Sequence, residues 1–360
     1  MLWTILIFIF ILSLLVFVHE FGHFFIAKKS GMKVEEFGFG FPPRLFGIRK
    51  GETIYSVNWI PLGGFVRIKG ESGDFKDEED SFSAKPALNR FAVLVAGVAM
   101  NFILAGILFS LGFLIGMPSL ITEEMPYGAN VESQEIRILS VVEESPAQLA
   151  GIESGDIFIS ANSRFFEQSK ELQEYLGQAG KEGVEIVVKH SDETYQTVTL
   201  VSEILPEIGI SGLGLGLVQT GVVSYPIHLA IFHGTEATIV MTGEVFSAFA
   251  QIIRNLLVHQ EVGLDISGPV GIAVMTGEVV SLGLVYLIHF AALLSINLGV
   301  INLLPFPALD GGRIVFLIIE KIRRKAVSQK IEALVHNLGF LFLMLLIILV
   351  TYRDVISLSH

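Results

Sequence analysis

The sequence contains no cysteine among its 360 residues, and only 17% of its residues are charged. The missing cysteines exclude disulfides and thiolate metal sites, and they leave the redox state of the compartment undetermined. The scarcity of charge leaves a chain that is 52% hydrophobic, with a mean hydropathy of +0.64. This composition is too apolar for a soluble enzyme and indicates several membrane-spanning segments together with a water-facing part.

Basic residues are especially scarce in the middle of the chain. The formal net charge is −12, and residues 117–225 alone account for it with seventeen acidic and five basic side chains. The remainder of the chain is neutral overall. A nucleic-acid partner would need a basic face, so none is expected.

A polar motif interrupts the first apolar run. His19 and His23 are four residues apart, so on a helix both imidazoles can face one metal ion. Glu20 follows His19 and can reach a water molecule beside that ion without ligating it. An acidic residue at the centre of a spanning helix costs about 2.5–3.5 kcal/mol, which favours a functional site over a surface helix with two histidines.

Four apolar runs are predicted to span the membrane, at residues 1–27, 91–117, 281–322 and 330–351. The first run lacks a basic n-region and a cleavage site, so a removed signal peptide is not expected. Lys28, Lys29 and Lys33 follow it and mark its cytoplasmic end, which places both chain termini outside.

Residues 34–70 are predicted to form a membrane-associated β region, with two strands around a turn at Gly51. One interpretation is a cytoplasmic hairpin with no part in chemistry. The other is an edge that receives substrate, because a helical peptide bond must be pulled into an extended form before it can be cut.

Residues 118–225 alternate short strands and helices, and they are predicted to form a water-soluble α+β domain on the outer face. Its Ser145-Pro-Ala and Gly155-Asp-Ile segments, in this order, resemble a PDZ domain of the bacterial, circularly permuted type. Its groove would take a peptide C-terminus by strand addition; the alternative is a compact spacer without a ligand. An amphipathic helix at the outer interface is predicted at 227–259, with His228, His233 and His259 as interface residues rather than ligands.

A second polar cluster lies where the third apolar run is broken by two prolines. A catalytic zinc takes three protein ligands, and Asp310 is the best third ligand because the basic residues after it place it on the same side as His19. His289 lies further toward the outer side and is the poorer candidate. In the second run, Asn101 needs a buried partner, either a substrate carbonyl or another helix.

These residues resemble the site-2 protease family of intramembrane zinc metalloproteases, most nearly its bacterial regulator-of-sigma-E protease group. The likeness covers nearly the whole chain. It departs from better-known members in one respect, since they carry two tandem PDZ domains and this chain has room for one. The motifs that carry it are His19-Glu20-x-x-His23, Gly97-x-x-x-Asn101 and Asn302-x-x-Pro305-x-x-x-Leu309-Asp310-Gly311.

The resemblance implies a polytopic α-helical membrane protein with four transmembrane helices, a membrane-associated β-hairpin and an inserted extracytoplasmic PDZ domain, in the bacterial inner membrane. It implies one Zn²⁺ held by His19, His23 and Asp310, with Glu20 as general base and then acid. The substrates would be single-pass membrane proteins already trimmed outside, such as anti-sigma factors, or remnant signal peptides. The expected substrate-positioning residues are Asn302, Asn101 and Pro305.

Two other functions compete with proteolysis. A membrane scaffold could display the PDZ domain and use zinc structurally, but a structural site normally has four ligands and this chain offers three beside a free Glu20. An ion transporter could also use an intramembrane His/Asp site.

Overall fold

The computed structural model describes residues 2–121, 127–179, 182–190, 192–204, 211–258, 268–325 and 327–357. The chain divides into two compact units. One unit comprises the chain up to Gly112 together with the chain from Ala230 onward, and the other runs from Phe113 to Leu229.

The helices of the described chain are α1 (Leu2–Lys29), α2 (Ala87–Ile115), α3 (Pro146–Leu149), α4 (Ser169–Ala179), α5 (Ile227–Val258), α6 (Pro269–Leu282), α7 (Leu284–Leu303), α8 (Asp310–Arg323) and α9 (Gln329–Ser357). The strands are β1 (Val34–Lys50), β2 (Thr53–Ile68), β3 (Met117–Leu120), β4 (Asn130–Val141), β5 (Ile157–Ala161), β6 (Val184–Lys189), β7 (Tyr195–Leu200), β8 (Glu203–Ile204), β9 (Ser211–Gly212) and β10 (Leu215–Ser224).

Four of the described helices, α1, α2, α7 and α9, are long and apolar enough to cross a membrane. The structure gives the second and third runs bounds that differ from the predicted ones. Helix α2 begins at Ala87 and ends at Ile115, because the chain turns at Gly116 into strand β3. The run 281–322 is two helices, α7 and α8, since the prolines between them have no N–H for a continuous helix.

Helix α6 was not predicted from the sequence. The predicted interface residue His259 lies outside the described residues. Pro269 is the first residue of α6, where its missing N–H costs nothing. The backbone N–H groups of Gly268 and Gly271 donate to the Asp354 carboxylate at 3.1 and 2.8 Å, so α9 caps the start of α6.

The β region is more folded than the predicted hairpin. Phe37 pairs with both Val66 and Tyr55, so the first half of β1 lies between the two halves of β2. The second half of β1 then pairs with Thr53–Asn58 and forms one edge, and the segment Gly64–Ile68 forms the other. The buried Glu36 carboxylate, in the first half of β1, joins these strands. Arg44 of the second half of β1 lies 2.7 Å from it, and the Ser56 hydroxyl of β2 donates a hydrogen bond to it.

This folded β region lies directly along α1. The Ser13 hydroxyl donates to the Pro61 carbonyl at 2.5 Å, and a Cβ on Gly63 would lie 2.7 Å from the Val16 side chain. Only glycine permits that approach, because its φ of +117° is also strained for any other residue. Helix α1 and β2 therefore approach each other one helical turn before Glu20.

The Phe113–Leu229 unit contains a six-stranded antiparallel sheet in the order β3-β10-β4-β5-β6-β7. Its core consists of alternating inward residues of these strands with Leu172 and Leu176 of α4. Residues 118–225 were predicted to alternate short strands and helices, and the structure contains both in this segment.

Candidate metal centre

The three predicted ligands meet in the unit that comprises the chain up to Gly112 and from Ala230 onward. They are His19, His23 and Asp310. Asp310 Oδ2 lies 3.0 Å from His19 Nε2 and 3.3 Å from His23 Nε2, and the two Nε2 atoms are 3.1 Å apart. Both imidazoles are buried. These are the atoms through which all three side chains could hold one metal ion.

The spacing of the three atoms fits zinc. Ligands about 2.0–2.1 Å from a tetrahedral zinc lie roughly 3.3–3.4 Å from one another. The observed separations of 3.0–3.3 Å match that triangle to within a few tenths of an ångström. These three donors would hold a zinc ion in the number that is typical of catalytic rather than structural sites.

Helix α2 contacts the Nδ1 side of both histidine rings, opposite the Nε2 atoms that face Asp310. His23 Nδ1 bonds to the Val93 carbonyl at 2.7 Å, which keeps the proton on Nδ1 and the lone pair on Nε2. Asn101, which is completely buried, lies 3.2 Å from His19 Nδ1. Asn101 was predicted to bind either a substrate carbonyl or another helix, and it lies here beside His19 of α1.

Asp310 reaches the histidines because the chain between α7 and α8 is sharply bent. Ala308 has a φ of +79°, which is unusual for a residue with a Cβ. Its N–H donates to His336 Nδ1 of α9 at 2.9 Å. His336 was not predicted from the sequence, where the free-energy cost of an imidazole within an apolar helix is its one signal.

Glu20 is held at the edge of the β region. Its Oε2 accepts the Val66 N–H at 3.0 Å, and Val66 belongs to the edge segment Gly64–Ile68. One carboxylate oxygen is therefore fixed by the backbone, and the carboxylate follows directly after the ligand His19.

The other predicted residues lie in different surroundings. Asn302 is half-buried near the end of α7, and its side chain forms no hydrogen bond within the described part of the chain. Pro305 is exposed. His289 packs edge-on against Phe109, with ring centroids 5.4 Å apart, and is not a member of the metal-ligand cluster.

A separate groove lies in the Phe113–Leu229 unit, between α4 and the start of β10. Its volume is about 420 Å³, and Ser140, Gln173, Leu176 and the segment 211–217 are among its lining. Residues 215–219 of β10 pair with β4 on one side, while β3 covers only residues 220–223 on the other. The start of β10 therefore has an edge that another strand could join.

The chain is similar to known proteins along nearly all of its length. Residues 7–346 match the family described as Peptidase family M50. A protein of Clostridium perfringens is 37% identical over 345 residues, covering 96% of each chain. The zinc metalloprotease RasP of Shouchella clausii is 32% identical over 434 residues, and the regulator of sigma-W protease RasP of Bacillus subtilis is 29% identical over 438, each covering 98% of both chains.

Among solved structures, the PDZ domain of an SdrC-like protein from Listeria monocytogenes matches 26% of this chain and 92% of that chain. The identity is 20% and the TM-score is 0.21.

Proposed function

The chain belongs to peptidase family M50, as a zinc metalloprotease of the site-2 type, and we propose that it cuts peptide bonds within the transmembrane segments of single-pass membrane proteins. The observation that carries this proposal is the convergence of His19, His23 and Asp310 on one point next to Glu20.

In this proposal His19, His23 and Asp310 hold one zinc ion through the three atoms that face one another. When bound, zinc polarises a carbonyl as a Lewis acid and makes water acidic enough to lose a proton near neutral pH. The buried imidazoles would hold the ion through their Nε2 atoms, and Val93 and Asn101 of α2 contact the Nδ1 atoms on the opposite side of the rings.

Glu20 acts as the general base and afterwards as the general acid. Its carboxylate takes a proton from the attacking water and returns it to the leaving amine. The bond from the Val66 N–H to Oε2 orients the side chain and leaves Oε1 for this proton. A positioned acid–base group of this kind contributes about 10²–10⁴-fold in rate.

The substrate lies as an added strand against the edge segment Gly64–Ile68. A peptide bond inside a helix is shielded by its own hydrogen bonds, and strand addition replaces those partners when the helix opens. This edge contacts Glu20 through Val66, so an added strand would pass beside the base. Asn302 has an amide available for the substrate backbone, and Pro305 lies in the exposed bend beyond it.

The substrates are pre-trimmed single-pass proteins such as anti-sigma factors, or remnant signal peptides. RasP of Bacillus subtilis is named as a regulator of sigma-W protease, which supports this class. The groove beside β10 would take a peptide C-terminus. In the inner membrane, the Phe113–Leu229 unit and both termini lie outside, and the metal centre lies toward the cytoplasm, as the lysines after α1 indicate.

The test is Glu20→Gln in the full-length protein, reconstituted with a spanning model substrate. Cleavage should fall by about 10²–10⁴-fold, because the amide cannot accept the proton. Zinc content should stay at one equivalent per chain, because Glu20 is not among the three ligands. Glu79→Gln, the same change on an exposed loop residue, is the control and should keep wild-type cleavage.

The proposal fails if Glu20→Gln cleaves at the wild-type rate. Loss of zinc together with activity would show that Glu20 is a ligand and would favour a closed, structural site.

A further inference from the structure

A second pocket of about 270 Å³ lies between the start of α2 and the end of α8. None of its lining residues is a ligand of the metal centre. Its lining consists of Ala87, Arg90, Leu317, Glu320, Lys321, Arg324 and Lys325.

One wall of the pocket is fixed by a two-pronged ion pair. Arg90 of α2 donates to both oxygens of Glu320 on α8, at 3.1 and 2.9 Å. Next to this pair, Leu317 packs with Leu94 and Ile314 in the apolar seam between the two helices. The wall is therefore built into the contact of α2 with α8, and Glu320 neutralises Arg90.

Three further cations surround the pocket without such neutralisation. Within the described residues, the side chains of Lys321, Arg324 and Lys325 form no hydrogen bond or ion pair. Residues 317, 320, 321 and 324 follow helical spacing and so share one face. Arg324 ends the helix in the left-handed region, with a φ of +53°. The pocket thus carries three uncompensated positive charges.

Three aliphatic side chains that lie next in sequence to lining residues are exposed. They are Leu88, Ile318 and Ile322, with exposed fractions of 76%, 49% and 76%. Helix α2 is a candidate membrane span, so its start lies near a membrane surface. Near a membrane surface, cations can pair with the phosphate headgroup of an anionic lipid, and exposed aliphatic side chains can contact its acyl chains.

We propose that this pocket binds the phosphate headgroup of an anionic phospholipid, with the acyl chains along Leu88, Ile318 and Ile322. This goes beyond the proteolytic function and does not depend on it. A bound phosphate would neutralise the three cations and tie the last turn of α8 to the start of α2. Because α8 begins with Asp310, the lipid would also steady the helix that supplies the third metal ligand.

The test compares lipid binding by the full-length protein with that of a pocket variant, Lys321→Gln/Arg324→Gln/Lys325→Gln. The matched control is Lys29→Gln/Lys33→Gln/Lys76→Gln, which removes three positive charges outside the pocket. Purified proteins in neutral detergent are titrated with phosphatidylglycerol, phosphatidylcholine or inorganic phosphate. Bound lipid is measured by native mass spectrometry and stabilisation by the thermal midpoint.

The wild type and the control should retain phosphatidylglycerol. The pocket variant should bind phosphatidylglycerol roughly a hundredfold more weakly, because each of the three removed charges weakens binding about fivefold. Equal losses in the pocket variant and the control would overturn the proposal in favour of general surface charge. Equal stabilisation by inorganic phosphate would identify a free-anion site instead. If the triple variant does not fold, Arg324→Gln and Lys325→Gln alone should each weaken binding about fivefold.

Discussion

Asn101 lies beside the ring nitrogen of His19 that does not face Asp310 and His23. His19 can ligate a metal through Nε2 only if its proton is on Nδ1, where Asn101 is 3.2 Å away. Asn101 Oδ1 is buried and has no hydrogen-bond partner among the described residues. A half-turn of the amide brings this oxygen to Nδ1, so that it accepts the proton of His19 and gains the partner that a buried oxygen requires.

We therefore predict that Asn101→Leu weakens zinc binding by about 10–100-fold, the usual effect of removing a partner behind a metal ligand. Asn101→Asp, which keeps the accepting oxygen, should retain most of the affinity. Chelator competition measures the zinc dissociation constant for each variant. If both variants bind zinc as the wild type does, Asn101 does not orient His19.

His336 supports Asp310 through the bend before it. Ala308 at φ +79° is in a conformation that costs about 1–3 kcal/mol and persists only when its surroundings hold it. His336 Nδ1 accepts the Ala308 N–H, and one turn later a Cβ on Gly339 would lie 2.7 Å from the Pro307 carbonyl oxygen. Helix α9 thus holds the bend in place through one hydrogen bond and one close contact.

We predict that His336→Leu lowers zinc affinity and lowers the thermal midpoint, because the Ala308 N–H loses a partner worth about 1–3 kcal/mol. His336→Asn should recover much of both, since its side-chain oxygen can accept in place of Nδ1. His289→Leu removes another imidazole from an apolar helix and serves as the control for zinc binding. Equal zinc affinity in the leucine and asparagine variants would contradict this role.

At the scale of the helices, the site depends on how closely α1 and α2 approach. A Cβ on Gly97 would overlap His23 Nε2 and lie 2.8 Å from His19 Cε1. A Cβ on Gly22 would likewise overlap the Ala96 carbonyl of α2. Small residues at this crossing allow the helix backbones to meet, as is common between membrane helices.

We predict that Gly97→Ala abolishes zinc binding and cleavage, although alanine is the better helix former by about 1 kcal/mol. Gly106→Ala makes the same change on the same helix, where the new Cβ would lie an ordinary 3.5 Å from Thr238 Oγ1. It should keep wild-type zinc content and activity. A functional Gly97→Ala protein would show that the crossing can open without displacing the histidines.

The sequence separation of the contacting residues explains which parts of the site could be predicted from the sequence. His19 and His23 are local neighbours on a helix, and Asp310 was matched to them through the basic residues that follow it. The bond of Val66 to Glu20 and the bond of Ala308 to His336 join elements far apart in sequence, so no spacing indicates them. The double pairing of Phe37 was missed for a similar reason, because register within a ribbon depends on partners rather than on alternation.

The two units of the molecule differ in charge. The acidic segment 117–225 includes most of the Phe113–Leu229 unit, and this unit contains an imidazole paired with a carboxylate. His190 Nδ1 lies 2.9 Å from Asp156 Oδ1, and its Nε2 lies 3.0 Å from Gln196 Oε1. The hydrogen bond to Asp156 raises the pKa of His190 above its ordinary value.

This pairing makes the stability of the Phe113–Leu229 unit depend on pH in a definite direction. A raised pKa in the folded state means that the pair stabilises fully at pH values below the unfolded histidine pKa of about 6.5. The contribution is lost as pH rises through the raised pKa. Amide exchange of β5 and β6, corrected for intrinsic rates, should therefore show less protection at about pH 8 than at about pH 6. His190→Gln should remove this difference, and a variant that keeps it would assign the pH dependence to other groups.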